Sequence, residues 1–252
     1  MRLAPPSKEH AAAPPVARFL CAACAIATLG LAGCGTQPQR MNIRDTNAPD
    51  ATAFVSLRPT VWSRAGGRPA RGFEAGYQQF TASGPQALSA GETLLVNGQS
   101  IPGPDTVAQK AKVAAWHFGY TDRLYFGPVV EFDIAVGGLK LDIDYELRAQ
   151  AAPVGPLTLA NAETLPYGSI TPRYRFGPML ALEARIAAAS NAESRHNRQD
   201  LSLLITPVPQ LMLRLGYARQ RTSMEVPRVA FFDGLEVQIN ARGPAASLRL
   251  EF

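Results

Sequence analysis

The chain has 252 residues, 46% of them hydrophobic and 18% charged, and a formal net charge of +5. That length suits one domain, or one closed sheet of about eight to ten strands. Mean hydropathy is close to zero, which excludes a bundle of transmembrane helices but not a membrane-crossing sheet, whose two faces alternate and cancel.

Arg2, Lys8 and Arg18 lead into an apolar run at residues 19–32. The run is too short to cross a bilayer as a helix and has the length of an export-signal core. It closes on Leu31-Ala32-Gly33-Cys34. Cys21 and Cys24 have redox-motif spacing, but they lie inside the apolar run with no second ligand pair, so no redox or metal role follows. Cleavage before Cys34 leaves one cysteine and no internal disulfide. Residues 34–50 are polar and Pro/Asn-rich and predict a flexible tether. Residues 51–70 hold an extra strand or rim segment, with Val55, Leu57 and Val61 alternating against Ser56, Arg58 and Thr60. Pairing at the rim, plugging the interior, or membership of a ten-strand barrel all stay open.

From residue 71 onward, period-two segments dominate. They fall at 71–81, 106–120, 124–150, 167–176, 179–188, 200–206, 211–221 and 235–252. The clearest puts Leu139, Leu141, Ile143, Tyr145 and Leu147 on one face and Lys140, Asp142, Asp144, Glu146 and Arg148 on the other. Upstream, Phe132, Ile134 and Val136 alternate with Glu131 and Asp133, so the apolar parity switches at Gly137-Gly138. A β-bulge within one long strand is the expectation. Residues 121–123, 177–178 and 207–209 read as short turns. The stretches 82–105, 151–166, 190–198 and 222–234 read as long loops. Phe126-Gly127-Pro128 and Phe176-Gly177-Pro178 recur, as a weak internal duplication or as reused turn chemistry.

Short and long connections alternate, as in transmembrane barrels with short periplasmic turns and longer outer loops. The expected fold is therefore all-β, an antiparallel up-and-down transmembrane β-barrel of about eight strands, with ten possible. Its apolar faces would meet lipid. Its charged faces would form a lumen network of Glu131, Asp133, Lys140, Asp142, Asp144, Glu146, Arg148, Arg173, Arg175, Glu183 and Arg185, because a narrow interior requires paired charges. Tyr77, Phe80, Tyr120, Tyr125, Tyr167, Tyr217 and Phe252 lie toward segment ends, as interfacial girdles do.

Two motifs carry a resemblance. Leu31-Ala32-Gly33-Cys34 resembles the lipobox of bacterial lipoproteins, which implies cleavage before Cys34, acylation of its sulfur and new amine, and firm anchoring. Gly35 follows, not the Asp that marks inner-membrane retention, so the resemblance implies the outer membrane. The strand ending Leu248-Arg249-Leu250-Glu251-Phe252 resembles the signal that barrel-assembly machinery reads, carried by Leu248, Leu250 and Phe252. Over residues 71–252 the chain looks like a small Gram-negative outer-membrane β-barrel protein. That resemblance implies outer-membrane lipid and the assembly machinery as partners, a monomer, and a structural or surface-interaction role through outer loops.

Chemistry is sparse. Beyond the signal run the histidines are His117 and His196. His117, between Trp116 and Phe118 on the opposite parity, reads as a lumen residue. His196 reads as part of a solvated outer loop. A lipid-modifying barrel enzyme would need one of them beside a serine and an acid, and no such motif is present. Asp142, Asp144 and Glu146 read as salt-bridge partners of Lys140 and Arg148 and not as cation ligands. No cofactor, metal, nucleic-acid partner or catalytic residue is expected. The competing expectation is a soluble periplasmic β-sandwich or lipocalin-like lipoprotein with an apolar ligand inside, since strand alternation is the same for both.

Overall fold

The structure is a computed structural model, which describes residues 39–59, 70–96, 98–153, 155–226 and 235–252. Cys34, with the whole of the expected export signal, lies outside the described residues. Twelve strands are present: β1 (Gln39–Asp45), β2 (Asp50–Leu57), β3 (Arg71–Leu88), β4 (Thr93–Val96), β5 (Gln99–Pro102), β6 (Asp105–Phe126), β7 (Val130–Ala149), β8 (Leu157–Arg175), β9 (Leu180–Ser190), β10 (Ser194–Val208), β11 (Leu211–Val226) and β12 (Leu235–Glu251). Among the described residues there is no helix.

Strands β2, β3 and β6 through β12 form an antiparallel meander that returns on itself. The ring of nine strands closes where β2 runs parallel to β12, from Asp50 opposite Ala245 to Ser56 opposite Glu251. β1 lies along the same edge of β12, also parallel, from Gln39 opposite Leu235 to Asp45 opposite Ala241. β1 and β2 thus act as two pieces of one edge partner. The parallel closure is a consequence of counting: in a meander with an odd number of strands, the first and last point the same way.

The count corrects the expectation of eight strands. The segment around 51–57 is a full ring member, and part of the expected tether is a strand. Met41 and Ile43 of β1 are completely buried, while Arg40, Asn42 and Arg44 face out. Two inward apolar residues suffice to pin this otherwise polar stretch, because each removes its whole side chain from water.

The strands are also longer than expected. β6 has 22 residues and β7 has 20. Residues 121–123 are interior to β6 and not a turn; the hairpin break falls at 127–129, where Gly127 has a φ of 72°, a conformation that favours glycine. The repeated Phe-Gly-Pro tripeptides both mark hairpin turns at one end of the ring, with 209–210 as a third. This turn end also holds Phe252. At the opposite, loop end β3 runs to Leu88, and β4 and β5 form a separate hairpin. β10 begins at Ser194, so the expected loop at 190–198 shrinks to three residues. His196 consequently sits in a strand and is buried, not solvated.

No bulge occurs at Gly137-Gly138. The register runs unbroken through them against both β6 and β8. Inward positions are 131, 133 and 135 before the glycines and 139, 141, 143, 145 and 147 after them, the same parity throughout. Chemistry, and not geometry, inverts along this strand.

At the loop end the interior is apolar. Met41, Ile43, Val107, Val113, Leu141 and Leu165 are among its fully buried members, and the β4–β5 hairpin adds Leu94, Val96 and Ile101. Asp105, the first residue of β6, caps this end by accepting backbone N–H bonds from Thr106, Gln150, Ala151 and Ala152 at 2.6–3.3 Å. Those donors hold its carboxyl below the usual 3.8. A depressed folded value means that the carboxylate stabilises the fold above the unfolded value and that this contribution is lost as pH falls through the folded one. Amide-exchange protection of Ala151 and Ala152 should therefore decline as pH drops below 3.8, and Asp105→Asn should lower it at neutral pH.

Candidate functional site

At the turn end the pattern reverses: charges fill the interior and hydrocarbon covers the outside. Each ring strand places alternate residues inward, and their charged members join in one connected network. Asp133 of β7 accepts from Arg123 of β6 at 2.6 and 2.9 Å and from Arg58, which follows β2, at 3.3 Å. It also lies 3.6 Å from Arg173 of β8 and 3.7 Å from Arg249 of β12. Arg173 donates to Glu131 at 3.0 Å and to Glu183 of β9 at 2.6 Å. Arg175 donates to Glu131 at 2.7 Å.

The chain of pairs continues around the wall. Glu183 lies 2.8 Å from Arg214 of β11, which donates to Asp200 of β10 at 2.6 Å. Arg198 joins Asp200 at 2.8 Å to Asp50 at 2.7 Å. Glu251 accepts from Arg123 at 2.8 Å. Glu74 of β3 receives Arg249 and Arg185, the latter at 3.2 Å. Every strand of the ring contributes. Charged groups buried this deeply persist only when paired on several sides, and the alternation of acids and arginines supplies that pairing.

Of the expected network, Glu131, Asp133, Arg173, Glu183 and Arg185 are buried here, and Arg175 is half-buried beside Glu131. Lys140, Asp142, Asp144, Glu146 and Arg148 are not part of it. They face outward on the loop-end half of β7, where Lys140 pairs with Asp142 at 3.3 Å and Arg148 with Glu146 at 2.7 Å. The correction follows from the unbroken parity: the same face that is ionic at the turn end is apolar beyond Gly138.

Sequence reading misses Asp50, Arg58, Glu74, Arg123, Arg198, Asp200, Arg214, Arg249 and Glu251. A signal exists for several of them: Arg58 occupies the parity opposite Val55 and Leu57, and Arg249 and Glu251 the parity opposite Leu248, Leu250 and Phe252. Those three lie on the outward side, with Leu248 and Phe252 well exposed. Arg123 is hidden by its expected place in a turn, and Arg198 by its expected place in a loop.

His117 lies at the junction of the two halves. Its Nε2 is 3.2 Å from Glu74, and its ring stacks on Tyr167 at 5.1 Å and tilts against Phe54 at 5.3 Å. Gly76, cross-strand from His117, leaves the space: a Cβ there would collide with the imidazole and with Phe54. His196 bonds Thr222 at 2.9 Å. Among the described residues neither histidine forms a nucleophile–base pair with a serine, and no three His, Cys, Asp or Glu side chains converge as metal ligands. The junction itself holds a cavity of about 10 Å³, room for roughly one water.

Outside the charged interior stands the apolar belt. Phe73, Trp116, Phe118, Tyr120, Ile134, Val136, Ile170, Tyr174, Leu182, Leu203, Leu215 and Leu248 are all exposed. Among the described residues every exposed large hydrophobic except Leu95 and Ile186 belongs to the turn-end part of the ring. Soluble monomers rarely expose apolar patches beyond a few hundred Å², and this one encircles the ring. From Trp116 to Phe126 the belt spans about 25 Å at ordinary strand rise and tilt. Tyr120, Tyr217 and Phe252 belong to its outward face, whereas Phe80 and Tyr167 turn inward and are buried. Those two lie near the middle of their strands, where the inside is already apolar.

No family model, curated protein or solved structure matches this chain.

Proposed function

We propose that the chain is a non-enzymatic β-barrel of a Gram-negative outer membrane, anchored also by lipid on Cys34, with a structural or surface-interaction role. The observation that carries this is the reversal of polarity along single strands. Where the outside is apolar the inside is ionic, and where the outside is ionic the inside is apolar. One uniform solvent around the whole ring does not account for that. A strand needs about 9–11 residues to cross a bilayer, so half of β6 crosses and the other half stands in water as a wall with an apolar core.

The interior reads as closed. Ion pairs fill one half, packed apolar residues and the β4–β5 hairpin the other. The odd strand count and parallel closure depart from the even-stranded pattern usual in bacterial barrels, and they arise from β2. The lipocalin-like reading draws support from the apolar loop-end interior, but those side chains pack against each other and leave no ligand-sized space at the junction.

Trp116, exposed in the belt, tests the reading. In a Trp62→Phe/Cys34→Ser chain it is the single tryptophan, and no lipid anchor holds the protein. Brominated phosphatidylcholine vesicles should quench its fluorescence strongly, and the protein should float with the vesicles. A soluble protein with unquenched Trp116 would overturn the proposal.

A further inference from the structure

Just beyond the belt, toward the loop end, the outward face becomes cationic on one side of the ring only. On the β6–β7 wall each lysine meets an acid: Lys112 stands opposite Asp144 and Lys110 opposite Glu146, while Lys140 reaches Asp142. The wall made by β10, β11, β12 and β1 has no such balance. Arg219 and Arg242 occupy directly opposed positions. The next outward row reads Asn197, Arg221, Asn240 and Arg44, and Arg195 stands one row higher, opposite Ser223. No acid occupies these three rows; Glu225 and Glu236 come only in the row beyond.

Arg221 donates to Asn240 at 2.9 Å. Among the described residues Arg219 and Arg242 have no ion-pair partner. Like charges directly opposite on a sheet repel, and this pair costs stability unless an anion bridges it. A groove of about 260 Å³ runs alongside, lined by Ile186, Ala188, Asn197, Gln199, Arg219 and Arg221. Directly below it, in the belt, Leu201 faces Tyr217.

We infer that Arg219, at the edge of this groove, and the facing Arg242 together hold the phosphate of an anionic lipid headgroup, with the acyl chains descending over Leu201 and Tyr217. The inference rests on the membrane reading. Guanidinium forks match phosphate oxygens in pairs, and the groove floor continues into hydrocarbon, which suits a ligand carrying both a phosphate and acyl chains. The balanced β6–β7 wall offers the same depth without the net charge.

The full chain and its Arg219→Gln/Arg242→Gln variant would be refolded into phosphatidylcholine vesicles, with and without phosphatidylglycerol. Lipids retained after mild detergent extraction would be identified by native mass spectrometry. The unaltered chain should retain phosphatidylglycerol preferentially. The double variant should lose about 10- to 30-fold of that preference at low salt, whereas Lys110→Gln/Lys112→Gln should keep it. Incorporation without a preference, or a preference that survives in the double arginine variant, overturns this inference alone. Failure of the unaltered chain to enter pure phosphatidylcholine vesicles overturns the membrane reading and this inference with it.

Discussion

Asp133→Ala should be among the most damaging single substitutions in the protein. Its carboxylate is the shared acceptor for Arg58 and Arg123 and lies within 3.7 Å of Arg173 and Arg249. Removing it leaves four guanidinium groups facing one another in a space that excludes bulk water. Breaking a buried ion pair by deleting one partner costs on the order of 3–5 kcal/mol. The expected result is a lower urea midpoint in vesicles and loss of the heat-modifiable gel form. Lys140→Ala removes a cation whose side chain is 59% exposed and paired at 3.3 Å with Asp142. It should shift the midpoint by less than about 1 kcal/mol. Comparable losses from both would mean that the interior network is no more sequestered than the outer wall.

Leu203→Arg should produce the second large effect. Leu203 lies outward at 40% exposure, between Leu182 and Leu215 across the ladder, near mid-height of the belt. In water an exposed leucine tolerates such a change within about 0.5 kcal/mol. Facing hydrocarbon near the bilayer midplane, the same arginine costs about 2–4 kcal/mol. Urea titration of refolded protein distinguishes the two, and a negligible shift would show that the belt meets solvent. Gln199→Arg, four residues toward the loop end, should cost far less, because on the proposed membrane reading a long cation there reaches headgroup phosphates.

The proposed membrane reading explains why the interior ions and the belt coincide. The dispersive contacts of a packed core and those of lipid tails are similar, so an apolar face can turn toward either. What differs is the other face. On the proposed membrane reading, the turn-end half faces lipid with its apolar outward side, and the polar residues go inside and must satisfy one another. On the same reading, water takes the charges of the loop-end half, and its interior packs as it does in a soluble protein. Strand β7 records both regimes in succession: Glu131 and Asp133 inward, then Leu139 through Leu147 inward.

Much of this is legible in the order of residues. Alternation locates the segments that become β3 and β6 through β12, and the inward charges at 131, 133, 173, 183 and 185 follow from their parity. The boundaries fail where polar residues extend a strand, as in β8, whose first half has Thr158, Asn161 and Thr164. Backbone hydrogen bonds to two neighbouring strands sustain such a stretch with little help from its side chains. His196 and Arg198 read as loop for the same reason: a run of polar residues looks solvated unless its place against β9 and β11 is known.

The amino-acid order by itself determines the period of two, the opposition of an oily and an ionic face in each segment, and the glycine–proline turns at one end. Tertiary structure alone decided which face is inside. A two-residue period is unchanged when a strand is turned over, so the parity shift at Gly137-Gly138 suggests a bulge where the closed ring shows an unbroken strand whose inward face changes from ionic to apolar. It also decided the number of ring strands, because β1 and β2 acquire their meaning only from β12, nearly two hundred residues away. No local pattern contains that partner.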